Sequence, residues 1–247
     1  MKNIGVLGFG EIGSSVAKIY ENYPEYSILV KDLERDDDLK NLKCLNICIP
    51  YSEKFSDIVL EQINYSTPEL VIVHSTIVPG TIETIQEKTN VPIVHSPVMG
   101  VHPNLYDGIM TFTKFIGCNN VEHSELAEKH LKSLGVKTHI CTSSRSTELG
   151  KMLSTTYYGT VIAAHGEMKK ICDELNVNFT EAVSMFNQVY NVGYAKLGKI
   201  NVIRPVLYPP KNDKIGGHCV VPNAKLLKKC LKEDNDIVEL VLKYDKS

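Results

Sequence analysis

The seven cysteines of this 247-residue chain include no pair at the CxxC spacing of a zinc site or redox motif. They stand at irregular intervals, mostly inside apolar runs, and read as small buried hydrophobes and free thiols of an intracellular, cytoplasmic chain. The eight histidines include no pair at a zinc spacing such as HxxxH on a helix, so no metal is expected. No apolar stretch approaches the length of a membrane span. The first residues, MKNIGVLGFG, read as a strand and a glycine turn rather than a signal peptide. Neither sign of charge dominates: 27 bases and 29 acids leave a formal charge of −2. Nothing in that balance draws the chain to nucleic acid or to an anionic membrane. Internal repeats and low-complexity segments are absent.

What is there is a globular chain, 43% hydrophobic, long enough for one large domain or two smaller ones. Residues 2–7 form a short apolar strand, 14–22 carry a helical pattern, and 26–30 form a second strand. This is a βαβ start. Further strands are expected at 44–49, 70–74, 92–95, 113–117 and 137–141. Helices are expected at 52–62, 80–88 and 123–134, the last stopped by Gly135. Strands alternating with helices predict an α/β fold: a Rossmann-type, doubly wound parallel sheet. The short connection from Asp32 to residue 44 predicts a sheet trimmed by one edge element.

From about residue 147 the strand signal ends. Leu149, Met152, Leu153, Thr156, Val161, Ala164, Met168, Ile171 and Leu175 recur at helical spacing, predicting one helix over 147–176. At 1.5 Å per residue it is about 45 Å long. Helices at 180–190 and 222–232 follow, with a proline- and glycine-containing loop over 201–218. The expected domains are a dinucleotide-binding one at 1–145 and an all-helical one with a long central helix at 146–247.

Gly8-Phe9-Gly10-Glu11-Ile12-Gly13 follows a strand and opens a helix, with Asp32 nineteen residues after Gly13. The first glycine permits a tight turn, the second admits a pyrophosphate, and the third lets helix pack on strand. Asp32 is placed to accept hydrogen bonds from an adenosine ribose and to repel a 2′-phosphate. NAD is therefore favoured over NADP, although Lys31 beside it carries the opposite charge. Two strand-end turns, Cys48-Ile49-Pro50 and the segment from Ser75 and Thr76 to Thr81, either border the nicotinamide or are ordinary turns.

Lys151 follows the helix opening Glu148-Leu149-Gly150. There the dipole lowers its proton affinity slightly, which suits a group that stabilises an alkoxide. The other reading is a surface lysine. Gly216-Gly217-His218-Cys219 sets a thiol at a tight, accessible turn, where it can trap a carbonyl created by hydride removal. Arg204 binds a carboxylate or phosphate, or stays in solvent. His74 and His95 read as core residues at strand ends.

Taken together, GFGEIG at 8–13, CIP at 48–50, STIVPGT at 75–81, ELGK at 148–151 and GGHC at 216–219 resemble the UDP-glucose/GDP-mannose dehydrogenase family. They stand in the family's order. The resemblance implies oxidation of a sugar primary alcohol to a carboxylate with two hydride transfers to NAD. It matches Cys219 to the nucleophile that forms a thiohemiacetal and then a thioester, and Lys151 to the catalytic lysine. Arg204 matches the substrate-loop arginine, with Gly216, Gly217 and His218 lining the substrate. Ser75, Thr76 and Pro50 match cofactor contacts. The family usually has asparagine where this chain has Thr155 and aspartate where it has Asn223. It carries a glutamate where the chain has Val98. The chain also stops where the family's third domain begins, so a short homologue is expected.

Three readings follow: a dehydrogenase working through a cysteine-linked intermediate, a single two-electron hydroxyacid or alcohol dehydrogenase using the lysine alone, or a non-catalytic NAD-binding relic. The expected partner is a small molecule, a nucleotide sugar among the candidates. Apolar residues on more than one face of the long helix predict a homodimer.

Overall fold

Alternating strands and helices form where the hydrophobic period switches between two and about 3.6. The computed structural model describes residues 1–246. The strands are β1 (Lys2–Leu7), β2 (Tyr26–Lys31), β3 (Leu42–Ile47), β4 (Val71–Val73), β5 (Ile93–His95), β6 (Lys114–Gly117) and β7 (Thr138–Cys141). The helices among them are α1 (Glu11–Glu21), α2 (Phe55–Ser66), α3 (Thr81–Gln86), α4 (Leu105–Thr111) and α5 (Val121–Ser133). The seven strands make one sheet in the order β2-β1-β3-β4-β5-β6-β7, parallel except where β5 meets β6.

The trimmed edge is present. Between β2 and β3 the chain makes only an isolated bridge, Lys31 to Asp36, before crossing to the other side of β1. Beyond the crossover, β6 and β7 lengthen the opposite edge. Both faces are covered, as the apolar strand runs require. In β4, Ile72 joins one buried cluster with Val16, Ile19 and Leu131, while Val71 and Val73 join another with Phe55, Val59 and Ile82. Helix α4 was not expected. It is only seven residues long and has Gly108 within it, too short to show a period.

A long helix, α6 (Ser144–Glu174), follows. The chain divides into two compact units within it, one ending at Lys151 and the next beginning at Met152. The second unit holds the rest of α6 and a π-helical stretch, Thr180–Met185, that runs into α7 (Phe186–Lys196). It ends with α8 (Val220–Cys230) and α9 (Asp236–Leu242), the last unexpected. Its core gathers Met152, Ala163, Val220, Ala224, Leu227, Val241 and Tyr244. Small residues on α6 make that packing possible: a Cβ on Gly159 would lie 2.4 Å from Val220, and one on Gly166 2.5 Å from the Tyr244 hydroxyl.

The apolar stripe read from the sequence divides accordingly. Met152 and Thr156 are buried, while Leu149, Leu153, Ile171 and Leu175 are exposed. Within the second unit, α8 and α9 cover the face of α6 that carries Met152, Gly159 and Ala163. Helix α7 buries none of its residues.

Candidate active site

The glycine turn is built as its spacing implies. Gly8 has φ +89°, and a Cβ there would lie 2.9 Å from the backbone of Cys48 and Ile49. A Cβ on Gly13 would fall 1.9 Å from the Gly8 carbonyl oxygen, so α1 can lie against β1 only without a side chain. A Cβ on Gly10 would meet no protein atom within 4 Å. The backbone at Gly10 is thus open beside the first turn of α1, where N–H groups lack intrahelical partners. Helix α1 begins at Glu11, three residues earlier than its pattern suggests, so Glu11, Ile12 and Gly13 form that turn. The Glu11 carboxylate pairs with His102.

Asp32 follows β2 and closes this turn. Its carboxylate accepts from the Phe9 N–H and from the Leu33 N–H, the latter at 2.6 Å. Those bonds, the Phe9 one foremost, hold its proton affinity below the usual carboxylate value. The nearby cations are taken up by other acids: Lys31 pairs with Asp36 at 3.1 Å and Arg35 with Asp37 at 2.7 Å. An open glycine backbone, a helix N-terminus and an ionised carboxylate suit the two ends of a dinucleotide's phosphate–ribose unit.

The turns after β3 and β4 adjoin one another. Pro50 is exposed and Thr76 half-buried. The Ser75 hydroxyl donates to the Ile49 carbonyl at 2.6 Å, binding one turn to the other. Glu148 is wholly buried, and its carboxylate accepts from the Gly80 N–H at 2.6 Å and the Ile82 N–H at 2.9 Å. It thereby caps α3 from α6. His74 and His95 are core residues as read. His74 meets Asn46 Oδ1 at 2.9 Å, and His95 Nε2 meets the Ser75 carbonyl at 3.0 Å.

Lys151 is half-buried, and its Nζ donates to the Val98 carbonyl at 2.8 Å. The helix-dipole argument for it is corrected. Helix α6 starts at Ser144, so Lys151 is its eighth residue, and the dipole acts within the first turn. The structure instead gives the amine a carbonyl to rest on.

In the second unit, Cys219 is half-buried at the N-cap of α8, which begins two residues earlier than expected. Gly217 has φ +89°, and neither Gly216 nor Gly217 is packed against protein, so the turn is open rather than a close approach. His218 is exposed beside it. Asn223 lies one turn along α8 and donates its side-chain amide to the Thr155 hydroxyl at 3.0 Å. That hydroxyl in turn donates to the Met152 carbonyl at 2.9 Å.

Arg204 is exposed, with its guanidinium 3.5 Å from the centre of the Tyr190 ring. Asn191 clasps its backbone, accepting from the N–H and donating to the carbonyl, both at 2.8 Å. Sequence reading missed Tyr190 and Asn191, and it left Glu148 without a role. It also passed over Lys114, although a lysine opening the apolar strand Lys114–Gly117 was a visible signal.

The sheet order and glycine turn define a Rossmann-type α/β protein. No family model matches the chain. The curated proteins it is similar to include UDP-N-acetyl-D-mannosamine dehydrogenases. That of Methanococcus maripaludis is 29% identical over 61% of this chain and 33% of its own length. That of Methanococcus vannielii is 25% identical over 89% of this chain and 60% of its own length. The chain thus spans between a third and three fifths of these two relatives. Among solved structures, the UDP-D-ManNAc dehydrogenase of Pyrococcus horikoshii superposes with a TM-score of 0.79. At 19% identity it covers 98% of this chain and 68% of its own. That likeness establishes the fold. Among the described residues, no helix is long and apolar enough to cross a membrane.

Proposed function

We propose that the protein is an NAD-dependent dehydrogenase of the nucleotide-sugar 6-dehydrogenase type, oxidising a primary alcohol through a cysteine-linked intermediate. The observation that carries the reading is the glycine turn closed by Asp32 and left open at Gly10. Gly8, Phe9, Gly10, Glu11, Ile12 and Gly13 hold the pyrophosphate end, and Asp32 takes the adenosine ribose hydroxyls. The pairing of Lys31 and Arg35 with acids supports NAD over NADP. Pro50, Ser75 and Thr76 border the nicotinamide half. Bound NAD supplies the hydride acceptor for each two-electron oxidation.

Lys151, as an ammonium, stabilises the negative charge that grows on the substrate oxygen. The Cys219 thiol then adds across the aldehyde carbonyl, sulfur to carbon and its proton to oxygen, giving a thiohemiacetal that is oxidised to a thioester. Water cleaves the thioester to the carboxylate and returns the thiol. Arg204, held against Tyr190, anchors an anionic part of the substrate. Gly216, Gly217 and His218 line the same substrate turn. Asn223 and Thr155 order the α8–α6 face next to the cysteine. The exposed apolar residues of α6 and α7, among them Leu153, Phe186 and Val189, support a homodimer.

The test is NADH formation from NAD with UDP-glucose, GDP-mannose, their N-acetyl relatives and small hydroxy acids. A nucleotide sugar yielding two NADH per molecule, with turnover abolished in Cys219→Ala, supports the reading. One NADH per molecule with full activity in Cys219→Ala overturns the cysteine-linked route. NAD binding without turnover on any substrate overturns the activity. Light scattering of the purified protein reads the dimer directly.

A further inference from the structure

Lys114 opens β6 with 5% of its surface exposed, and its Nζ donates to the Ser96 carbonyl at 2.5 Å and the Pro97 carbonyl at 3.1 Å. The groups that face it are Cys48 after β3, His74 after β4, His95 ending β5 and Lys151 on α6. None of them is a carboxylate. A buried ammonium without an acid is costly to keep. The two carbonyls match the two N–H donors of a neutral amine, whereas an ammonium brings a third. Burial foremost, with the Lys151 charge adding to it, brings the amine down to about 7, and the Cys48 thiol opposes this. A buried amine poised in this way is the kind of feature found beside reacting groups.

The neighbouring geometry says what it acts on. The carbonyls of Ser96, Pro97 and Val98 are consecutive; Lys114 takes the first two and Lys151 the third. Ser96 is further tied by its N–H to the Val73 carbonyl and by its hydroxyl to the Phe115 carbonyl, both at 2.8 Å. Val98, where the resembled family carries a glutamate, is buried in the core with its carbonyl turned to Lys151.

We propose that Lys114 is a positioning residue for Lys151: it fixes the Ser96–Val98 carbonyls on which the Lys151 amine rests, and its own charge is felt by that amine. This rests on Lys151 stabilising the substrate oxygen, and it adds a group that sets the amine's place and its response to pH. As Lys114 loses its proton near neutrality, a like charge beside Lys151 disappears.

Two measurements test it. The first is heteronuclear NMR of lysine side-chain amines in the wild-type protein across a pH series. One amine titrating near neutral pH, absent from Lys114→Met, and a second amine signal that shifts with it and is lost in Lys151→Met are expected. No lysine titrating near neutral pH overturns the proposal, and so does a titration that no second amine follows. The second is kcat, KM and NAD affinity for Lys114→Met over the same series. Loss of position predicts kcat lower by roughly tenfold or more, with NAD affinity within about twofold of wild type. The neutral-pH inflection of the profile should vanish. Unchanged kcat and an unchanged profile would sink the idea. The titration and the second amine that follows it are both read on the wild type, so they decide even if a variant fails to fold; the variants serve only to assign the two signals. They also decide if the dehydrogenase reading fails and no substrate turns over.

Discussion

Asn223 on α8 and Thr155 on α6 are joined by a single 3.0 Å hydrogen bond between amide and hydroxyl. Both belong to the second compact unit, and Asn223 is 8% exposed. They occupy positions where the resembled family usually carries an aspartate and an asparagine. The pair here is uncharged, so it orders the α8–α6 face without a carboxylate beside Cys219.

Thr155→Val should therefore destabilise the protein by about 1–3 kcal/mol, because it leaves a buried amide without its acceptor. Denaturant unfolding measures this as a lower midpoint at unchanged slope. On the proposed cysteine-linked route, Asn223→Asp, which introduces the carboxylate of the resembled family, should instead raise the yield of carboxylate product over trapped intermediate, measured by mass spectrometry of product and protein.

Gly10 and Gly13 should part company on mutation. Gly13→Ala drives a Cβ into the Gly8 carbonyl oxygen, a backbone atom, and should cost about 1–3 kcal/mol of stability. Gly10→Ala meets no protein atom, so the melting temperature should hold while NAD affinity falls by about tenfold, or about 1.4 kcal/mol. Calorimetric titration beside thermal melts separates the two outcomes. Equal effects of both substitutions on stability would contradict the geometry.

Glu148 is wholly buried, yet it lies three residues before Lys151 in a segment singled out for catalysis. Glu148→Ala strands the N–H groups of Gly80 and Ile82, and should destabilise the first unit by about 2 kcal/mol or more. Hydrogen exchange should accelerate at the start of α3. Protection unchanged there would show that another group caps the helix.

Acid should weaken the fold before carboxylates titrate. Burial holds His95 down to about 3 and His130 down to about 4, from an ordinary 6.5. Below 6.5 the unfolded chain takes up protons that the folded imidazoles refuse. Stability is thus complete above that value and falls as pH drops toward 4 and then 3. Melting temperature against pH checks the sign, and His95→Gln should flatten the lower part of the curve. A melting temperature that rises on acidification over this range would be the contrary result.

Most of the fold was legible because its signals are local. Alternating and helical periods located all seven strands and most helices. Boundaries moved at helix starts: α1 begins at Glu11 and α8 at Val220, each ahead of its apolar stripe and with no side-chain cap to mark the start. Helix α4, with Gly108 inside seven residues, offered too short a period to read. At the site, Gly8, Gly13 and Asp32 were legible because a turn of fixed length joins one strand to the next. The same reading could not tell that Leu153 would be exposed while Met152, its neighbour, would be buried.

The sequence by itself determined the βαβ start, the glycine turn, the closing aspartate and the positions of the lysine and thiol, since each depends on residues close along the chain. Only the tertiary structure decided what those groups touch. Lys114 meets the Ser96 and Pro97 carbonyls, Lys151 the Val98 carbonyl, Glu148 the N–H groups of Gly80 and Ile82, and Asn223 the Thr155 hydroxyl. These partners stand from 17 to 68 residues apart. A periodic pattern says which face a residue occupies. Which distant backbone that face meets is set by the path of the whole chain and by the burial that path imposes.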